Sequence, residues 1–169
     1  MEVSAVGIGC NNFGNRSTPE ESKAVIHKAL DIGITLFDTA DGYPLGNRGA
    51  SETIIGETLG PKRKDIVLAT KFGIRFNDEM RGGASRAYIM RAVEASLTRL
   101  KTDWIDLYQL HIPDGTTPME ETLRALDDLV SQGKVRYIGN SNFTAWQMVD
   151  ADWTAKANGL APFVSCQNE

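Results

Sequence analysis

The chain has 169 residues, 41% of them hydrophobic and 24% charged, with a formal net charge of -4 at pH 7. Such a chain can bury a large core as one domain, and its composition is that of a soluble globular protein rather than a disordered or membrane chain. The absence of a basic block excludes nucleic acid or an anionic membrane surface as the main partner, and no apolar run reaches the ~18 residues of a membrane span.

The N-terminal stretch MEVSAVGIGC lacks the basic flank and long apolar run of a secretory leader, which makes the cytoplasm the expected location. Residues 3–9 read as a first strand. The turn after it, GIGCNNFG, carries Gly7, Gly9 and Gly14, but Asn12 stands where the third glycine of a dinucleotide-binding fingerprint belongs. Next, STPEESKAVIHKALDIG has Thr18, Pro19, Glu21 and Gly33 placed as a capping box, a first-turn proline and a terminating glycine, so it reads as a helix with His27 at its surface. Residues 34–38 form a second strand ending at Asp38, and FDTADGY follows with Asp41 and Tyr43.

A shorter helix starts near Ser51 and stops at Gly60-Pro61, and strand 66–71 ends in Lys71. Arg75 and Arg81 follow in a glycine-containing loop, as solvated cations or as contacts for an anionic substrate. Ser85 can cap a helix to Leu100 with Ile89, Val93, Leu97 and Leu100 on one face. Strand 105–111 ends in His111. The stretch TTPMEETLRALDDLVSQG repeats the first helix's pattern with Thr117, Pro118, Glu120 and Gly133. Strand 135–140 precedes Ser141 and Asn142, Thr144 caps a helix through about Lys156, and strand 163–167 ends in Gln167. Trp104, Trp146 and Trp153 read as packing residues. Cys10 and Cys166 have no metal-like spacing and read as free, buried thiols, with no metal site.

Alternating helices and nearly continuous apolar strands define an α/β fold with a parallel sheet. A doubly wound open sheet and a (β/α) barrel both satisfy that order, and the failed glycine fingerprint weighs against the first. The barrel predicts reactive side chains at the C-terminal ends of several strands. Asp38, Lys71, His111, Ser141, Asn142 and Gln167 stand there. Each alone has a plain structural reading as a cap, a solvated lysine, a hydrogen-bonded imidazole or a turn residue. Their joint placement on one rim points to a site.

The motifs FDTADGY, LATK, LYQLHIPD, IGNSN and CQNE, in that order, resemble the aldo-keto reductases over essentially the whole chain. The resemblance implies a TIM-type (β/α) barrel in a single domain over 1–169, truncated after the sixth strand with about six of eight βα units, since a whole barrel takes ~250 residues. It implies reversible NAD(P)H-dependent reduction of an aldehyde or ketone to an alcohol. Asp38, Tyr43, Lys71 and His111 would be the catalytic residues, and Asp38, Ser141, Asn142 and Gln167 would bind the cofactor, NADPH or else NADH.

In that scheme Tyr43 donates the proton, and Lys71, positioned by Asp38, lowers a phenol pKa that is ordinarily about 10. His111 orients the substrate oxygen, and Asp41 is left as a loop carboxylate. Three alternatives stay open: a catalytically weak nicotinamide-binding regulatory subunit, an inactive fragment of a reductase, and a lyase using Lys71 as a Schiff-base nucleophile. Besides a small carbonyl substrate, the expected partner is a second copy meeting open sheet edges at the first and sixth strands.

Overall fold

The computed structural model describes residues 1–74 and 83–168, and Arg75 and Arg81 lie outside these. Along the chain run β1 (Gly7–Gly9), α1 (Pro19–Asp31), β2 (Leu36–Asp38), α2 (Ala50–Leu59), a 3-10 turn (Gly60–Asp65), β3 (Val67–Phe72) and α3 (Arg86–Leu100). They continue as β4 (Ile105–Leu110), α4 (Met119–Ser131), β5 (Val135–Ser141), α5 (Ala145–Asn158) and β6 (Cys166–Gln167). All pairings are parallel, and the sheet order is β1-β2-β3-β4-β5-β6. A doubly wound sheet would reverse its strand order at a switch point; this one never does, and it curls as the wall of a TIM-type barrel. Among the described residues, no helix is long and apolar enough to cross a membrane.

Local chemistry sets the helix ends. Thr18 accepts from Glu21 N at 3.2 Å while Glu21 Oε2 accepts from Thr18 N at 2.8 Å, closing the expected capping box on α1. Gly33 and Gly133 adopt φ of 81° and 73°, so the chain can leave each helix through a left-handed residue. There Ile34 N donates to Ala29 O and Lys134 N to Leu129 O, which satisfies carbonyls that the helix leaves free. The expected box on α4 does not form. Its N-cap is Pro118, because the Thr117 hydroxyl donates instead to Asp114 Oδ2 at 2.8 Å.

Strand register separates two faces. Phe37 pairs with Leu68, Thr70 with Tyr108, Phe72 with Leu110, and Tyr108 with Ile138. This face meets the helices: Thr70 Oγ1 donates to Glu52 on α2, and Phe72 stacks on Tyr108 with centroids 4.6 Å apart. The core lies here, with Ile26, Ile55, Ile89, Val93, Leu123 and Leu126 buried from the helix side. The opposite face carries Asp38, Lys71 and Gln109, with Asp38 paired to Ala69 and Lys71 to Gln109. Helices α2 and α3 touch closely because Gly56 has no side chain; a Cβ there would lie 2.3 Å from Arg99 O.

Several expectations change. The first strand is shorter than residues 3–9, because Ser4 and Thr35 bond each other's backbone through their hydroxyls in place of a ladder. Strand β6 is also shorter than residues 163–167, although Val164 N still donates to Ile138 O. Cys10 is buried, but Cys166 is exposed on β6. Trp104 packs as expected, with the guanidinium carbons of Arg63 and Arg136 lying 4.5 and 5.1 Å from its ring centroid. Trp146 and Trp153 are each 68% exposed, because α5 turns Ala151 and Ala155 inward and needs no bulk there. His27 is exposed on α1, as expected.

Candidate active site at the strand ends

Parallel strands deliver all their C-terminal ends to one rim. Asp38 ends β2, Lys71 is the penultimate residue of β3, His111 follows β4, Ser141 ends β5 and Gln167 ends β6. The two faces alternate, so Asp38 and Lys71 point to the side away from the helices. There Lys71 Nζ donates to Asp38 Oδ2 at 2.6 Å and to Thr39 O at 3.1 Å, with Lys71 only 1% exposed. A lysine so bonded and buried is held in one position. Nζ lies 5.4 Å from the Tyr43 ring centroid.

The Tyr43 hydroxyl and His111 Nε2 are 3.4 Å apart, with the rings edge-to-face at 85°. Burial pushes the Tyr43 phenol up, and the Asp38 carboxylate adds to this. The direction is opposite to the lowering expected from Lys71. The physical reason is first that burial disfavours the phenolate, and second that the ammonium is bonded to Asp38, whose negative charge offsets it at the phenol. His111 is pushed down to about 4, first by burial and then by the Lys71 ammonium, with Asp38 opposing. It is therefore neutral near pH 7. Among the described residues its Nδ1 is buried without a hydrogen-bond partner, so the tautomer carrying its proton on Nε2 aims that donor at the rim.

The remaining expected residues form a second cluster joined to the first. Ser141 Oγ donates to Gln167 O at 2.8 Å, and Asn142 N to the same carbonyl at 3.1 Å. Asn142 Nδ2 donates to His111 O at 2.9 Å and to Ser141 Oγ at 3.0 Å. Gln167 Nε2 reaches Asp38 Oδ2 at 3.3 Å. One hydroxyl and two amides are thus linked to Asp38 through Gln167, a donor and acceptor set that fits a carboxamide such as that of nicotinamide.

Two features went unread in the sequence. Gln109 donates to Asp38 Oδ1 at 3.3 Å, in a space that Gly139 leaves open: a Cβ on Gly139 would lie 3.2 Å from Gln109 Cγ. Its signal was its position two residues before His111, hence on the same face of the strand. Asp41 is not a solvated loop carboxylate but is 1% exposed and paired with Arg48. Nothing local in FDTADGY marks it as buried, since its partners Arg48 and Tyr88 lie outside the motif.

Fold and rim together define a (β/α)-barrel protein with its polar cluster at the C-terminal ends of the strands. The chain belongs to the aldo/keto reductase family, whose sequence profile matches residues 5–169. It is 43% identical to an uncharacterized oxidoreductase, YqkF, of Bacillus subtilis (strain 168), over 84% of this chain and 46% of that protein. It is likewise 43% identical to the aldo-keto reductase YhdN of the same organism, over 88% of this chain and 46% of that one. With the versiconal hemiacetal acetate reductase of Aspergillus parasiticus it shares 38% identity, over 99% of this chain and 56% of the relative. The chain spans about half the length of these curated relatives.

Proposed function

We propose that this chain carries the proton-transfer part of a nicotinamide-dependent carbonyl reductase. The observation that carries the reading is the meeting, on one rim, of a buried Lys71–Asp38 pair at 2.6 Å with two polar groups, Tyr43 and His111, 3.4 Å apart. Tyr43 OH and His111 Nε2 are close enough to share one carbonyl oxygen, which each can approach as a hydrogen-bond donor. Tyr43 gives its proton to that oxygen, and the raised phenol pKa keeps the donor form filled at neutral pH. His111, neutral, holds the oxygen in place and stabilises its developing charge. Lys71 supplies positive charge beside the phenolate that remains, and Asp38 fixes Lys71.

Ser141, Asn142 and Gln167, with Asp38, would hold the carboxamide of NADPH or NADH. When bound, that cofactor supplies the hydride that the carbonyl carbon requires, which no side chain can provide. The relatives named as reductases and oxidoreductases support this class of reaction.

The test is Tyr43→Phe, made in this polypeptide and in one continued to the length of its relatives. Consumption of reduced nicotinamide with a panel of aldehydes should fall about 10²–10⁴-fold, the usual contribution of a general acid, while cofactor binding persists. Rates equal to those of the unsubstituted chain would remove Tyr43 as the proton donor.

A further inference from the structure

Tyr43 rides on the loop between β2 and α2. Its N–H donates to Ala40 O at 3.1 Å and its carbonyl accepts from Ser51 N at 3.3 Å. Two residues before it stands Asp41, buried, and five residues after it Arg48 Nη2 reaches back to Asp41 Oδ2 at 2.6 Å. The Tyr88 hydroxyl, from the first turn of α3, completes a triangle: it donates to Asp41 Oδ2 at 3.1 Å and accepts from Arg48 Nη2 at 2.6 Å. The Asp41 N–H in turn donates to Lys71 O at 2.9 Å, which ties the triangle to the strand that carries the lysine.

An exposed ion pair would have little consequence. This carboxylate is buried and shared by two donors, so the pair persists as a unit: separating it would leave a lone charge inside the protein. It closes the segment 41–48 into a ring, with Tyr43 inside the ring and α3 as its outer anchor. The Tyr43–His111 contact of 3.4 Å lies at the outer limit of a hydrogen bond, so a small shift of the loop would break it.

We propose that Asp41, Arg48 and Tyr88 form a clamp of positioning residues that holds the Tyr43 hydroxyl against His111. The catalytic consequence rests on Tyr43 being the proton donor; the positioning itself does not. None of the three clamp residues needs to touch substrate. Their effect passes through the placement of one phenol, and misplacing a reacting group by about 1 Å can cost on the order of 10²-fold in rate.

The chain has four tyrosines, Tyr43, Tyr88, Tyr108 and Tyr137, so labelling the ring Cζ with carbon-13 gives one resonance for each, assigned by single Tyr→Phe substitutions. Two variants are compared with the unsubstituted chain. Asp41→Asn combined with Arg48→Met removes both charges together and leaves none buried alone; Tyr88→Phe removes a single hydroxyl. In both, the Tyr43 resonance should move and broaden while that of the exposed Tyr137 stays in place. Nicotinamide affinity, read by cofactor fluorescence, should remain within about twofold, and kcat for aldehyde reduction should fall about tenfold to 10²-fold. An unmoved Tyr43 resonance in both variants overturns the clamp. So does an equal displacement of all the tyrosine resonances, which would mark a general structural role. If neither the chain nor the polypeptide continued to the length of its relatives reduces a carbonyl, the catalytic reading fails, and the Tyr43 resonance alone still decides the clamp.

Discussion

Acidification offers a quantitative check on the imidazole of the site. His111 is 7% exposed and is pushed from its ordinary 6.5 down to about 4, by burial first and by the Lys71 ammonium second. The unfolded chain keeps the ordinary value, so between about pH 6.5 and 4 the unfolded state binds more protons than the folded one and stability rises with pH. The contribution is therefore complete above about 6.5, is lost as pH falls toward about 4, and changes no further below that. At about 1.36 kcal/mol per pKa unit, a shift of roughly two and a half units sets a ceiling near 3 kcal/mol. The ring edge at the rim meets solvent, and screening there reduces the expected loss to about 2 kcal/mol.

Urea unfolding of the unsubstituted chain and of His111→Gln, followed across that pH window, isolates the contribution because other titrating groups cancel in the difference. The Cε1 proton resonance of His111, with exposed His27 as the second histidine signal, reports the titration directly. A His111 midpoint near 6.5, or a difference between the two proteins that does not change with pH, would refute the argument. It would also remove the neutral Nε2–H donor from the proposed site.

Glu52 is 0% exposed, accepts from Thr70 Oγ1 at 2.6 Å and pairs with Arg99 at 2.7 Å. Glu52→Leu should cost about 3 kcal/mol in chemical denaturation, the lower end for a broken buried pair because Arg99 retains some solvent. Gly56→Ala puts a Cβ 2.3 Å from Arg99 O and 2.7 Å from Leu100 Cα, so α2 and α3 must part. A loss of about 1–3 kcal/mol, read from the urea midpoint, is expected for such overpacking. Thr18→Ala removes the capping box of α1 and should cost about 1 kcal/mol by the same measurement, with Thr18→Ser nearly neutral.

Much of the site was legible because it follows strand ends. Asp38, Lys71, His111, Ser141 and Gln167 are each the polar residue where an apolar run stops, and parallel pairing brings such positions together. Gln109 and Tyr88 went unread, since their importance lies in partners far away in the chain: Gln109 bonds Asp38 across 71 positions and Tyr88 bonds Asp41 across 47. The two Thr-Pro helices show the limit at short range too. The motif at Thr18 caps its helix, whereas the same motif at Thr117 loses its hydroxyl to Asp114.

By itself the sequence determined the order of elements, the ends of α1 and α3, and the polar residues at the strand ends. These follow from periodicity, capping and turn chemistry, which act over a few residues. Only the tertiary structure decided the sequential strand order that makes a barrel wall rather than an open sheet. It also decided that Asp41 is buried and locked to Arg48 and Tyr88, and that the Tyr43 phenol is pushed up rather than down. Burial and Coulomb energy depend on distance through space, and the chain acquires those distances only when its strands have paired.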